Sequence, residues 1–248
     1  MTEAPSAPQT WSLGRRVAAW GVHCYTALGL PIAIVAMQAC VDRNVELLFG
    51  CFVLAVVIDG TDGMMARAAE VKKVVPQFDG ALLDNVVDFL MYVFVPAMAL
   101  IYLDMLPEGY DWVAAAPLMA SGYGFCQADA KTPDSYVGFP SYWNAIVGYL
   151  YVLSGGPVIN AIVLIILSIL VFVPIHYVYP TRTLMLRPVT LGLGFSWCAV
   201  MLLCAMNLDA TWMPTVAKAS LAFPAYYTVI SAVHHRRVMA REASGTAS

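Results

Sequence analysis

Asp59-Gly60-Thr61-Asp62-Gly63-Met64-Met65-Ala66-Arg67 and, twelve residues further on, Gly80-Ala81-Leu82-Leu83-Asp84-Asn85-Val86-Val87-Asp88 set four carboxylates inside otherwise apolar sequence. In the first stretch Asp59, Asp62, Gly63, Ala66 and Arg67 recur at i, i+3, i+4, i+7 and i+8, one face of an α-helix. In the second, Gly80, Asp84 and Asp88 recur at i, i+4 and i+8, again one face. The short joint between them, with Lys72, Lys73 and Pro76, makes the two helices antiparallel neighbours whose acidic faces can meet. Asp79 and Asn85 fall off the stripe and read as ordinary polar positions.

The surroundings of these helices place them in a membrane. Of 248 residues, 60% are hydrophobic and 12% charged, whereas a soluble domain carries about a quarter charged residues. Apolar stretches of spanning length are expected at 17–40, 45–69, 78–103, 112–130, 141–154, 157–178, 188–206 and 213–236, the fifth being short for a span. The expected fold is therefore all-α and polytopic, with about eight transmembrane helices and a short amphipathic helical start at 11–16. The expected organisation is a disordered arm over 1–10, one membrane domain over 11–241 and a disordered tail over 242–248.

Basic residues orient the chain. With the N-terminus cytoplasmic, the inner segments carry Arg15, Arg16, Arg67, Lys72, Lys73, Lys131, Arg182, Arg187, Arg236, Arg237 and Arg241, eleven of the thirteen Lys and Arg. An even number of spans returns the C-terminus to the same side and puts the carboxylates there too. A net charge of -3 excludes a general nucleic-acid surface. The six cysteines form no CxxC pair and read as small apolar residues.

An Asp at a helix centre in a bilayer costs roughly +3 kcal/mol on insertion scales. Four that meet in low dielectric repel one another, and divalent cations remove that conflict. Oxygen-only ligands favour a hard ion such as Mg²⁺ or Mn²⁺, so Asp59, Asp62, Asp84 and Asp88 are the expected metal ligands. Gly63, Ala66 and Gly80 leave a groove where a bulky group can approach the backbone, and Arg67 adds a fork suited to phosphate. Metal, Arg and groove together describe a nucleotide-diphosphate site. His23 and Thr26 in the first span either touch nucleotide or form a packed polar pair. His176 reads as an interface residue, and His234 and His235 as a solvated helix end.

This run resembles the signature of the CDP-alcohol phosphotransferases, D-x2-D-G-x2-A-R-x8-G-x3-D-x3-D. Asp59, Asp62, Gly63, Ala66, Arg67, Gly80, Asp84 and Asp88 match it in type and order, but twelve residues stand where the signature has eight. The longer spacer is similar to the bacterial phosphatidylcholine synthase branch. So, with lower specificity, are His23-x2-Thr26-Ala27 and Gly138-Phe139-Pro140-Ser141.

The resemblance implies transfer of phosphatidyl from CDP-diacylglycerol to choline with release of CMP. It also implies two divalent ions (Mn²⁺ or Mg²⁺), a homodimer and a bacterial inner-membrane location. It makes Asp59, Asp62 and Asp84 metal ligands and Asp88 both ligand and catalytic base, with Gly63, Ala66, Arg67 and Gly80 lining the CDP site. The quaternary ammonium of choline donates no hydrogen bond and asks for aromatic faces. Tyr25, Tyr92, Tyr177, Tyr179, Tyr226 and Tyr227 are eligible, and Tyr142, Trp143 and Tyr149 are the expected group. Two rivals stay open: a sister enzyme using another alcohol such as serine, and a cation transporter using the Asp cluster as its path.

Overall fold

The computed structural model describes residues 11–127, 129–130 and 132–244. The expected arm over 1–10, the last four residues of the expected tail, and Lys131 lie outside the described residues. Eight helical segments stand where eight spans are expected. Five of them, Leu13–Val41, Val45–Ala68, Gly80–Tyr102, Arg187–Ala205 and Met213–Arg241, are long and apolar enough to cross a membrane. The protein is an all-α polytopic membrane protein.

The first segment is α1 (Leu13–Ala27) and α2 (Gly29–Val41), broken at Leu28, where Pro31 withholds the amide that would bond Ala27. The expected amphipathic start at 11–16 is the opening turn of α1, capped by Ser12, whose hydroxyl accepts from the Arg15 amide. Helix α3 is Val45–Ala68 and α4 the short Val71–Val74. The third segment is α5 (Gly80–Asp88), a π-helical stretch over Phe89–Phe94 and α6 (Val95–Tyr102). Pro96 again removes a donor, and the wider turn absorbs the lost bond.

A 3₁₀ turn (Asp111–Ala114) leads into α7 (Ala115–Cys126), and α8 is Trp143–Leu153, only 11 residues. Helix α9 (Pro157–Val171) stops short of the expected end at 178. The chain there turns instead into β2 (His176–Val178), which pairs antiparallel with β1 (Ser135–Val137). Period-3.6 reading of an apolar run does not separate a three-residue strand from a helix end. Helices α10 (Arg187–Ala205), α11 (Met213–Ser220) and α12 (Ala222–Ala243) complete the chain.

Burial runs opposite to a soluble bundle. Helix α2 buries Ala33, Ala36, Ala39 and Cys40 and exposes Ile34, Val35 and Val41. Helix α9 exposes Val158, Ile159, Ile162, Ile166 and Ile169. Small residues inside let helices approach, and large apolar ones face lipid. The core is built around Leu48, Met91, Leu100, Trp143 and Leu164. Gly29 marks a close approach: a Cβ there would collide with Val87 Cγ1 of α5.

The β-ribbon is fastened to α12. Tyr227 donates its hydroxyl to the Val178 carbonyl at 2.8 Å, and Ser231, one turn on, accepts from the Val178 amide at 3.1 Å. His234, expected at a solvated end, is buried instead and shares a 2.9 Å hydrogen bond with Ser135 Oγ. The ring of His235 stacks on His176.

Candidate active site

Helices α3 and α5 bring their acidic faces to one large cavity of about 1370 Å³. Oxygens of Asp59, Asp84 and Asp88 all lie within 4.8 Å of one another. Such spacing lets one hard cation be shared among them, and carboxylate oxygens are the donors that Mg²⁺ and Mn²⁺ prefer. Asp62, the fourth expected ligand, is not in that group. It lines the same cavity, is buried, and its Oδ2 accepts from Thr26 Oγ1 of α1 at 2.8 Å. A neighbouring pair, Tyr25 and Thr61, meets at 2.9 Å and repeats the α1–α3 link.

The small residues play two different parts. Gly63 leaves room for Arg67: a Cβ at Gly63 would lie 3.4 Å from Arg67 Nη1, so the guanidinium folds back along the α3 face. Gly63, Ala66, Arg67 and Gly80 all line the cavity. The space at Gly80, expected to be open groove, is filled by His23. A Cβ at Gly80 would stand 2.5 Å from His23 Cε1. The imidazole is buried between Trp20 and Phe78, with ring centroids at 5.7 and 4.4 Å, and its Nε2 has no hydrogen-bond partner among the described residues. Asp79 caps α5, its Oδ1 accepting from the amides of Ala81 and Leu82.

The loop between α3 and α5 carries charge to the cavity mouth. Lys72 and Lys73 line it. Glu70 bonds Lys73 and Arg15, each at 2.7 Å. The Lys73 ammonium foremost, helped by Arg15, holds the Glu70 carboxyl below the usual carboxylate range. Arg182 also lines the cavity, its guanidinium 4.7 Å above the Tyr179 ring.

The expected aromatic group does not assemble as a unit. Trp143 is fully buried in the core, where its Nε1 donates to Ser121 Oγ at 2.7 Å, and it does not line the cavity. Tyr149 does line it, but its hydroxyl meets Ser220 and Trp197. Tyr142 sits among other tyrosines: its ring centroid lies 6.3 Å from that of Tyr92 and 6.1 Å from that of Tyr227. Tyr227 in turn lies 6.4 Å from Tyr177. Tyr92 donates its hydroxyl to Asp59 Oδ2 at 3.1 Å. It follows Asp84 and Asp88 at the same four-residue step, so the α5 stripe runs on through the π-helical stretch. Extending the count from Asp88 to Tyr92 is the signal that would have found it.

The backbone that delivers Tyr142 is tightly built. Gly138 has φ of +84°, and a Cβ there would collide with the Val171 carbonyl oxygen, so both conformation and space require glycine. Its amide bonds the Ile175 carbonyl and that of Phe139 bonds Leu170, which ties the Gly138–Ser141 turn to the end of α9.

Fold and site together define a class: a polytopic helical membrane protein with a carboxylate cluster on two facing helices, set in the wall of one large cavity. No protein-family model matches the chain. It is 40% identical over 175 residues to a phosphatidylcholine synthase of Legionella pneumophila, covering 69% of each chain. It is 37% identical over 181 residues to that of Pseudomonas aeruginosa, covering 72% of this chain and 76% of the relative. With the phosphatidylcholine synthase of Borreliella burgdorferi it shares 33% over 220 residues, 88% of this chain and 94% of the relative. The chain belongs to the phosphatidylcholine synthase family, the bacterial branch of the CDP-alcohol phosphotransferases.

Proposed function

We propose that this protein is a CDP-diacylglycerol–choline phosphatidyltransferase, which makes phosphatidylcholine and releases CMP. The observation that carries the reading is the meeting of Asp59, Asp84 and Asp88 oxygens within 4.8 Å, with Asp59 and Asp84 in the wall of a cavity large enough for a liponucleotide headgroup. The names of its relatives in Legionella, Pseudomonas and Borreliella supply the acceptor. The reading includes two divalent ions, Mn²⁺ or Mg²⁺, held by Asp59, Asp84 and Asp88 with Asp62 adjacent. When bound, such ions supply neutralisation of the pyrophosphate and of the charge that develops on CMP.

The chain's own residues do the rest. Arg67, braced over Gly63, presents its fork to phosphate. His23, with a buried Nε2 in the cavity wall, offers a ring nitrogen to the nucleotide, and Ala66 keeps the α3 face low enough for it to approach. The choline oxygen forms a bond to the phosphorus bearing the diacylglycerol. The phosphoanhydride bond to CMP breaks, and its electron pair leaves with CMP. Asp88 takes the choline hydroxyl proton. It is the last residue of α5, and as a carboxylate among carboxylates it accepts the proton late, as charge develops.

The reading further includes one membrane domain over 11–241, a homodimer, an inner-membrane location, and both termini and the active site facing the cytoplasm. Purified protein given CDP-diacylglycerol and a panel of alcohols tests the acceptor. CMP release that requires choline and a divalent cation is expected; release with serine but not choline sinks the choline reading. Ion flux without CMP release would favour a transporter instead.

A further inference from the structure

We infer that Tyr92, Tyr142, Tyr227 and Tyr177 form the subsite that holds the quaternary ammonium of the acceptor; the assignment rests on choline being that acceptor. The four come from separate parts of the chain: the π-helical stretch, the residue before α8, α12 and β2. All four line the cavity that the carboxylates open into. Their arrangement is a corner rather than a single stack. Tyr92 meets Tyr142 at 56° and Tyr142 meets Tyr227 at 67°, while Tyr177 lies nearly parallel to Tyr227 at 15°.

Two of the hydroxyls are already committed, that of Tyr92 to Asp59 and that of Tyr227 to the Val178 carbonyl. With those protons given away, neither hydroxyl donates to a ligand, and the ring faces remain for a cation. A trimethylammonium group needs that: it donates no hydrogen bond and is drawn to the negative face of an aromatic ring.

Tyr92 also sets the geometry. One end of its side chain touches a carboxylate of the reacting cluster, and the ring stands in the aromatic corner. An acceptor whose cation and hydroxyl are two carbons apart reaches both places at once. Tyr92 and Tyr142 are thus specificity-determining residues for the acceptor.

The test compares acceptors and variants in the purified, lipid-reconstituted protein, reading CMP release. For wild type, kcat/KM is expected to fall stepwise from choline through dimethylethanolamine to ethanolamine. The neutral isostere 3,3-dimethylbutan-1-ol should be at least about tenfold poorer than choline, the size of one well-placed cation–π contact or two. Tyr142→Leu should raise KM for choline by about tenfold with the KM for CDP-diacylglycerol unchanged, and Tyr142→Phe, which keeps the ring, should stay within about threefold of wild type. A neutral isostere as good as choline overturns the assignment even if Tyr142→Leu cannot be purified. So does a folded Tyr142→Leu whose choline KM is unmoved, or one that raises both KM values alike. Failure of wild type to release CMP with choline at all would overturn the function itself, whatever the tyrosines do.

Discussion

Thr26 of α1 donates its hydroxyl to Asp62 Oδ2 of α3 at 2.8 Å, and both side chains are buried. A hydrogen bond to a charged group contributes roughly 1.5–3 kcal/mol, enough to fix which way the carboxylate points. Thr26 is thereby placed to orient Asp62. Thr26→Val keeps the shape and removes the donor. The metal concentration for half-maximal CMP release should rise by about tenfold, with Thr26→Ser close to wild type. An unchanged metal dependence in a folded Thr26→Val would show that the bond is structural alone.

Gly80 and His23 share one space. Adding a Cβ at Gly80 puts it 2.5 Å from Cε1 and 2.9 Å from Nδ1 of an imidazole already wedged against Phe78. Overpacking of this kind costs about 1–3 kcal/mol, so Gly80→Ala should lower the thermal midpoint in detergent. In the double variant Gly80→Ala with His23→Ala the clash is gone, and the two effects should be non-additive by about 1 kcal/mol or more. Activity separates the two roles. If His23 touches nucleotide, the double variant regains stability but keeps a raised KM for CDP-diacylglycerol; recovery of both makes His23 a packing residue only.

Sequence reading reached the acidic stripes because they are local: i, i+3, i+4 and i+8 spacings fix a helix face with no knowledge of neighbours. Asp59, Asp84 and Asp88 therefore come together as their spacing requires. Asp62, on the same spacing, meets Thr26 because α1 lies against α3, a partnership that no local pattern encodes. The fate of Gly80 was equally hidden: a glycine leaves space, and only the fold decides that His23 fills it. The grouping of the aromatic residues was hidden for the same reason. Tyr142, Trp143 and Tyr149 are close in sequence, but Trp143 turns into the core and bonds Ser121, while Tyr92, Tyr177 and Tyr227 arrive from distant segments. Two prolines, Pro31 and Pro96, did carry readable signals, since each removes a helical donor where a span is broken or widened.

The Arg15–Glu70–Lys73 cluster gives a pH dependence with a definite sign. The Glu70 carboxyl is held below its ordinary value, first by Lys73 and then by Arg15. Its contribution is fully present above the pKa of the unfolded chain and is lost as pH falls through the depressed folded value. Glu70 sits at a left-handed corner between α3 and α4, with φ of 50°, and Trp11 Nε1 donates to the Lys73 carbonyl beside it. Loss of the cluster should loosen α4 and the first turn of α1. Hydrogen exchange at residues 12–16 and 70–75 should quicken as pH falls below the carboxylate range, after correction for intrinsic rates. In Glu70→Gln it should already be quick at neutral pH, and a flat wild-type profile would show that the ion pairs do not hold the corner.

Asp59 and Asp88 belong to one cluster but differ in their partners, which separates their expected phenotypes. Asp59 accepts from Tyr92 and belongs with Asp84 and Asp88 to the carboxylate group that could hold a metal. Removing its charge leaves two carboxylates where three stood, and Asp59→Asn should abolish metal-dependent turnover. Tyr92 then keeps an oxygen to donate to, so the aromatic corner should stay in place and folding should be little changed. Asp88 closes α5 immediately before the π-helical stretch, next to where the acceptor hydroxyl must lie if its cation is among the tyrosines. As the proton acceptor, Asp88→Asn should lower kcat by about 10²-fold or more, the usual contribution of a positioned base, with CDP-diacylglycerol affinity within a fewfold of wild type. Single-turnover CMP release alongside equilibrium binding of the liponucleotide separates the two quantities. Equal losses in both would make Asp88 a metal ligand only, and unchanged turnover would remove it from the mechanism.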